Sequence, residues 1–180
     1  SLAMLRLKGV EEALIVAPPT THDTWHIQAA LLDIKIEVVS HEKFRMPSYK
    51  LSRFKAIVVD EVHKLGRNTG QGWKKLDALG RRIQAPLIVC SATPNYNDAD
   101  RAYCIVHVLE PEKHSGGLLQ FISNHCTTEV NPFSVTPKVT GFIRYDDVTE
   151  FLVDQPYVYW LEDDTDYTIQ DDVMDTLRQP

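Results

Sequence analysis

The residues best suited to chemistry stand together at the end of one apolar run. Lys55-Ala56-Ile57-Val58-Val59 leads without alternation into Asp60-Glu61-Val62-His63. Two adjacent carboxylates suit a metal–phosphate site. One acid can hold Mg²⁺, which takes one or two carboxylates and keeps several waters. The other can orient or deprotonate an attacking water. Asp60 and Glu61 are that pair, and the residues by themselves leave open which acid takes which task.

The element that must position them is a strand. A short, continuous apolar run reads as a strand covered on both faces, as in parallel α/β sheets. Pro86 to Cys90 repeats the pattern and ends in Ser91-Ala92-Thr93-Pro94. Ala13 to Ala17 repeats it again and ends in Pro18-Pro19-Thr20-Thr21. Ile34 to Val39 is a fourth candidate, ending in Ser40-His41. In open α/β sheets, ligands bind outside the carboxyl ends of the strands. The three continuous apolar strands, each delivering polar residues there, imply one functional rim.

Helices are expected between them. The stretch 2–8 reads as a helix end stopped by Gly9, and Asp23 can cap a helix reaching Leu32. Trp73, Leu76, Leu79 and Ile83 share a helical face, as do Ala99, Ala102, Ile105, Val106 and Leu109 before Pro111. Residues 48–54 read as a short helix or turn, and 66–72 as a polar, glycine-rich loop. Alternating strands and helices predict a parallel sheet with right-handed crossovers. Beyond residue 112 the pattern loosens. Helices are expected over 118–125, 146–153 and 167–177, a loop over 131–138 and a strand over 157–160.

These motifs resemble a family. Asp60-Glu61-Val62-His63 resembles the DExH form of the Walker B motif of superfamily-2 helicases and translocases. Ser91-Ala92-Thr93 resembles their motif III. Ile15 to Thr20, with Trp25 following, is similar to motif Ia of the Swi/Snf-like branch, and Val38 to Phe44 to motif Ib. The resemblance spans roughly residues 1–112. It implies a three-layer RecA-like (P-loop NTPase-type) lobe, incomplete at its N-terminal side, followed over 113–180 by an irregular acidic extension leading toward a second lobe. It implies ATP and Mg²⁺ as cofactors and DNA, with RNA less favoured, as the partner, with Asp60 holding Mg²⁺, Glu61 activating the hydrolytic water and His63 contacting the γ-phosphate region. Ser91 and Thr93 would then couple the nucleotide state to nucleic acid by bonding His63 or Asp60. Thr20, Thr21, Ser40 and His41 would contact the nucleic-acid backbone, which small hydroxyls can do without reading sequence.

Each residue also has a plainer reading. The threonines and serines can be helix caps, Trp25 is better read as core than as a base-stacking platform, and Lys64, Arg67, Lys74 and Lys75 can be a solvated basic face. A Gly-Lys-Thr or Gly-Lys-Ser phosphate loop is absent from these 180 residues. The chain therefore reads as beginning just past that loop, with neither ATP nor Mg²⁺ expected to bind tightly to it alone and no hydrolysis expected from it alone. The rival expectation is a non-catalytic nucleic-acid or protein-binding scaffold on the same sheet.

Composition sets outer limits. Hydrophobic residues make up 43% and charged residues 24% of the chain, as in soluble globular domains. No apolar run approaches the roughly 20 residues of a membrane helix. Cys90, Cys104 and Cys126 form no CxxC pair, which argues against a zinc site or disulfide framework and for a reducing compartment, cytoplasmic or nuclear. The histidines show no HExxH spacing, and no GxSxG nucleophile elbow occurs. The net charge of −6 is unlike that of an autonomous nucleic-acid binder. The acids, however, crowd into 146–175, which holds no Lys or Arg, and leave the earlier part close to neutral.

Overall fold

A computed structural model describes residues 2–49, 54–66, 70–82, 86–91, 99–130, 132–133, 137–146 and 148–153. Its centre is a four-stranded parallel sheet of β1 (Glu12–Val16), β2 (Lys35–Val39), β3 (Ile57–Val59) and β4 (Leu87–Val89), in the order β2-β1-β3-β4. The register places Val16 beside both Val39 and Val59, and Val59 beside Val89. All four strands therefore end at one level. The chain is α/β as expected: each apolar run is too short to be a helix, the inner strands β1 and β3 are buried, and the edge strands β2 and β4 are partly exposed.

Alternation along the strands divides the core in two. Ala13, Ile15, Ala17, Ala56 and Val58 face α1 (Leu2–Leu7) and α2 (His22–Leu31) through Leu2, Leu5 and Ala29, with Trp25 and Leu32 packed at the margin. Leu14, Val16, Ile57 and Val59 face the other way. They meet Phe44 of α3 (His41–Arg45), Trp73 and Leu76 of α4 (Gln71–Arg82) and the nearly continuous buried face of α5 (Ala99–Leu109). Helices thus cover both faces of the sheet.

Local chemistry explains the boundaries. Gly9 takes φ 70°, and the Val10 amide reaches back to the Leu5 carbonyl at 2.9 Å, closing α1. Ser40 caps α3, its hydroxyl accepting from the Lys43 amide at 3.2 Å. No helix at 41–45 was expected from the sequence; five residues are too few to show a helical period. Asp23 lies in the first turn of α2 rather than at its cap, which is Thr21 and has no side-chain cap bond.

The later part adds α6 (Gly117–His125), an antiparallel pair β5 (Cys126–Glu129) and β6 (Lys138–Phe142), and α7 (Val148–Val153). The hairpin is not among the expected elements: the sequence reading leaves 126–130 and 139–145 unassigned, and Lys138, the last residue of the expected loop, begins β6. Its strands alternate only weakly and expose Thr127, Thr128, Glu129 and Thr140, so period alone does not mark them. Phe121, His125, Phe142, Tyr145 and Phe151 join in an aromatic cluster that seats α6, the hairpin and α7 together. The strand and helix expected over 157–160 and 167–177 lie outside the described residues. Among the described residues, no helix is long and apolar enough to cross a membrane.

Candidate functional site

The shared carboxyl edge brings most of the expected residues together. Asp60 and Glu61 leave β3 at the centre of the rim, with Ser40 and His41 beyond β2 on one side and Ser91 beyond β4 on the other.

Asp60 is held by the β1–β2 side. Its amide donates to the Val16 carbonyl at 2.8 Å. Its carbonyl faces His41 Nε2 at 2.8 Å, and its Oδ2 accepts from Trp25 Nε1 at 3.3 Å. Burial pushes the His41 imidazole below its usual range, against the opposing pull of the Asp60 carbonyl. The neutral ring then carries its proton on Nε2, since a carbonyl can only accept.

Residues 61–63 are held by the β4 side. The Val62 amide donates to the Cys90 carbonyl at 3.0 Å, and the Cys90 amide to the Val59 carbonyl at 2.8 Å. Glu61 adopts the left-handed conformation, φ 49° and ψ 53°, and starts a short 3-10 turn over Val62–Leu65. That turn brings His63 back over the rim. Its Nδ1 lies 2.8 Å from Ser91 Oγ and 3.3 Å from Glu61 Oε2. A carboxylate oxygen that close favours the tautomer with the proton on Nδ1.

A serine, a histidine and a glutamate within reach invite comparison with a nucleophilic triad. The geometry does not fit one. A relay needs the serine on one ring nitrogen and the acid on the other, and here both approach Nδ1. Cys90 is no better a nucleophile, because burial, with Asp60 and Glu61 adding, pushes its thiol up.

The donor set fits magnesium better than zinc. Among the described residues no three His, Cys, Asp or Glu side chains gather as a metal cluster. Magnesium needs less: one carboxylate, with waters and phosphate oxygens filling the octahedron. Asp60, with one oxygen hydrogen-bonded, meets that requirement.

The remaining expectations divide. Thr93 lies outside the described residues. Thr20 is exposed, while the Thr21 hydroxyl donates to the Pro18 carbonyl at 3.0 Å and steadies the turn before α2. Ser40 serves as the cap of α3. His41 needs correction as a backbone contact: it is 2% exposed and committed to Asp60, so its role is internal. Lys64 and Lys74 are exposed. Lys75 is engaged: its Nζ donates to the Met46 carbonyl at 2.7 Å and lies over the Phe44 and Tyr49 rings. Burial lowers its pKa. Arg67 lies outside the described residues.

Sequence reasoning missed Trp25 as part of the site. The available signal was chemical: a half-buried indole N–H seeks an acceptor. Cys90, Cys104 and Cys126 form no disulfide. No protein-family model and no curated protein matches this chain.

Proposed function

We propose that this rim is the magnesium–nucleotide face of a RecA-like lobe in an ATP-dependent nucleic-acid helicase or translocase. The observation that carries the reading is the junction of Asp60, Glu61, His63 and Ser91 at the aligned ends of β3 and β4. Each residue then has a task. Asp60 holds Mg²⁺, which supplies charge neutralisation on the phosphates when bound. Glu61 orients the attacking water and takes its proton. His63, tied to Ser91, links the reacting end of the nucleotide to the end of β4.

DNA is the proposed track, with Thr20 and its loop as a backbone contact. On this reading hydrolysis also requires a triphosphate cradle and a second lobe, in the same or another polypeptide. Such a protein works in the cytoplasm or nucleus. A scaffold that keeps the sheet without hydrolysis is the second reading, in which His41, His63 and Ser91 serve only to hold the rim through the contacts they make there.

The test is ATP hydrolysis by the product of the full reading frame, with and without duplex DNA. DNA-stimulated hydrolysis is expected, and Glu61→Gln should lower it about 100-fold or more, the range for a lost general base. Hydrolysis indifferent to that substitution would overturn Glu61 as the base, and DNA binding with no hydrolysis would favour the scaffold.

A further inference from the structure

The end of β3 is divided between two sets of partners. Residues 61–63 answer to β4, whereas Asp60 is tied at three atoms to the opposite side of the sheet: its amide to Val16, its carbonyl to His41 and its Oδ2 to Trp25. Trp25 comes from α2 and His41 from the first residue of α3, so two crossovers converge on one residue.

The chemistry of the two side chains fits a common task. An indole N–H is a neutral donor. It can orient a carboxylate without cancelling its charge, as an arginine would. Histidine on the carbonyl fixes the backbone from which that carboxylate projects. Carboxylates that ligate metals are themselves hydrogen-bonded in this way, and loss of such outer partners weakens metal binding.

We infer that Trp25 and His41 are positioning residues for Asp60, holding its backbone and Oδ2 so that Oδ1 is the oxygen offered to Mg²⁺. The inference rests on the magnesium–nucleotide reading above. Packing alone does not account for the pair. The Trp25 ring would lie against the α1–α2 core with or without its N–H aimed at Asp60. A buried neutral histidine is an expensive choice for a site that only needs filling.

Mg²⁺ alone is the probe, followed through the amide resonances of Asp60 and Glu61 and the indole resonances of Trp25 and Trp73. In the unmutated chain the Trp25 indole should move with the same midpoint as the Asp60 amide. The Trp73 indole, bonded to the Gly66 carbonyl, should stay still. Trp25→Phe keeps the ring packing, removes the donor, and should weaken Mg²⁺ binding about 10- to 100-fold. His41→Gln, which retains an N–H donor, should bind Mg²⁺ more tightly than His41→Ala. A stationary Trp25 indole while the Asp60 amide moves overturns the positioning role and leaves the magnesium site standing. So does a Trp25→Phe midpoint within about twofold of the parent's. If Asp60→Asn titrates like the parent, the magnesium reading is wrong and the inference goes with it.

Discussion

Glu61 is the most strained of the proposed catalytic residues. A side chain with a Cβ pays roughly 1–2 kcal/mol to sit in the left-handed region, and Glu61 sits there at φ 49°. Its Oε2 is buried without a hydrogen bond, with only the 3.3 Å approach of His63 Nδ1 to offset it. Such strain persists where the surroundings over-determine a residue, and it gathers at functional sites. Glu61→Gly should therefore raise the unfolding free energy by roughly 1 kcal/mol while removing the proposed base. Urea denaturation measures the first effect; a lower midpoint for the glycine variant would show that the conformation is not strained. The identity of this acid was legible from its place beside Asp60 after an apolar run. Its backbone state was not, because nothing local to Asp60-Glu61-Val62 demands a positive φ.

At the scale of elements, the 3-10 turn over Val62–Leu65 sets where His63 points, and Gly66 ends it. Gly66 has φ 90° and ψ −152°, a region open essentially only to glycine. A Cβ there would meet nothing within 4 Å, so the cost of adding one is conformational rather than steric crowding by neighbours. Gly66→Ala should destabilise the fold by roughly 1–3 kcal/mol and displace the His63–Ser91 contact. Thermal unfolding reports the first, and the His63 ring resonances the second. Unchanged values for both would mean that the turn closes without the glycine's freedom. The carbonyl of Gly66 also receives the Trp73 indole, which ties the turn to α4. The strands and most of the helices could be read from runs and periods in the chain. The 3-10 turn, α3 and the β5–β6 hairpin could not. Each is too short or too evenly polar to show a period, and each is held by partners distant in sequence, such as Arg45 on the Lys64 carbonyl and Phe142 beside Phe151.

Across the whole molecule, three histidines sit where burial disfavours their charge. His41 lies under the rim, while His114 and His125 join the aromatic cluster that seats α6 and α7. Desolvation lowers all three, and Lys113 adds to the effect at His114 and His125. In the unfolded chain these rings take protons as pH falls below about 6.5. In the folded chain they resist to lower pH. The unfolded state thus binds more protons in that window, and stability falls as pH drops through it. The urea midpoint should be lower at pH 5.5 than at pH 7.5, and His125→Phe, which suits the neighbouring Phe121 and Phe151 rings, should shrink the difference. A difference that stays as large in the variant would exclude His125 as a contributor. Cys126, pushed up to about 11 by burial, should remain a protonated thiol throughout this range.

The order of residues along the chain was enough to determine that a parallel α/β sheet forms and that acids and hydroxyls emerge at the ends of its strands. Apolar runs and turn residues are local properties, and they carry that information without reference to the rest of the fold. Only the tertiary structure decided which of those residues meet. His63 reaches Ser91 because β4 lies beside β3, and Trp25 reaches Asp60 because β1 lies on its other side. Strand order is set by how the helices pack over both faces, a cooperative outcome of the whole core. The same packing turned His41 inward and left Thr20 at the surface.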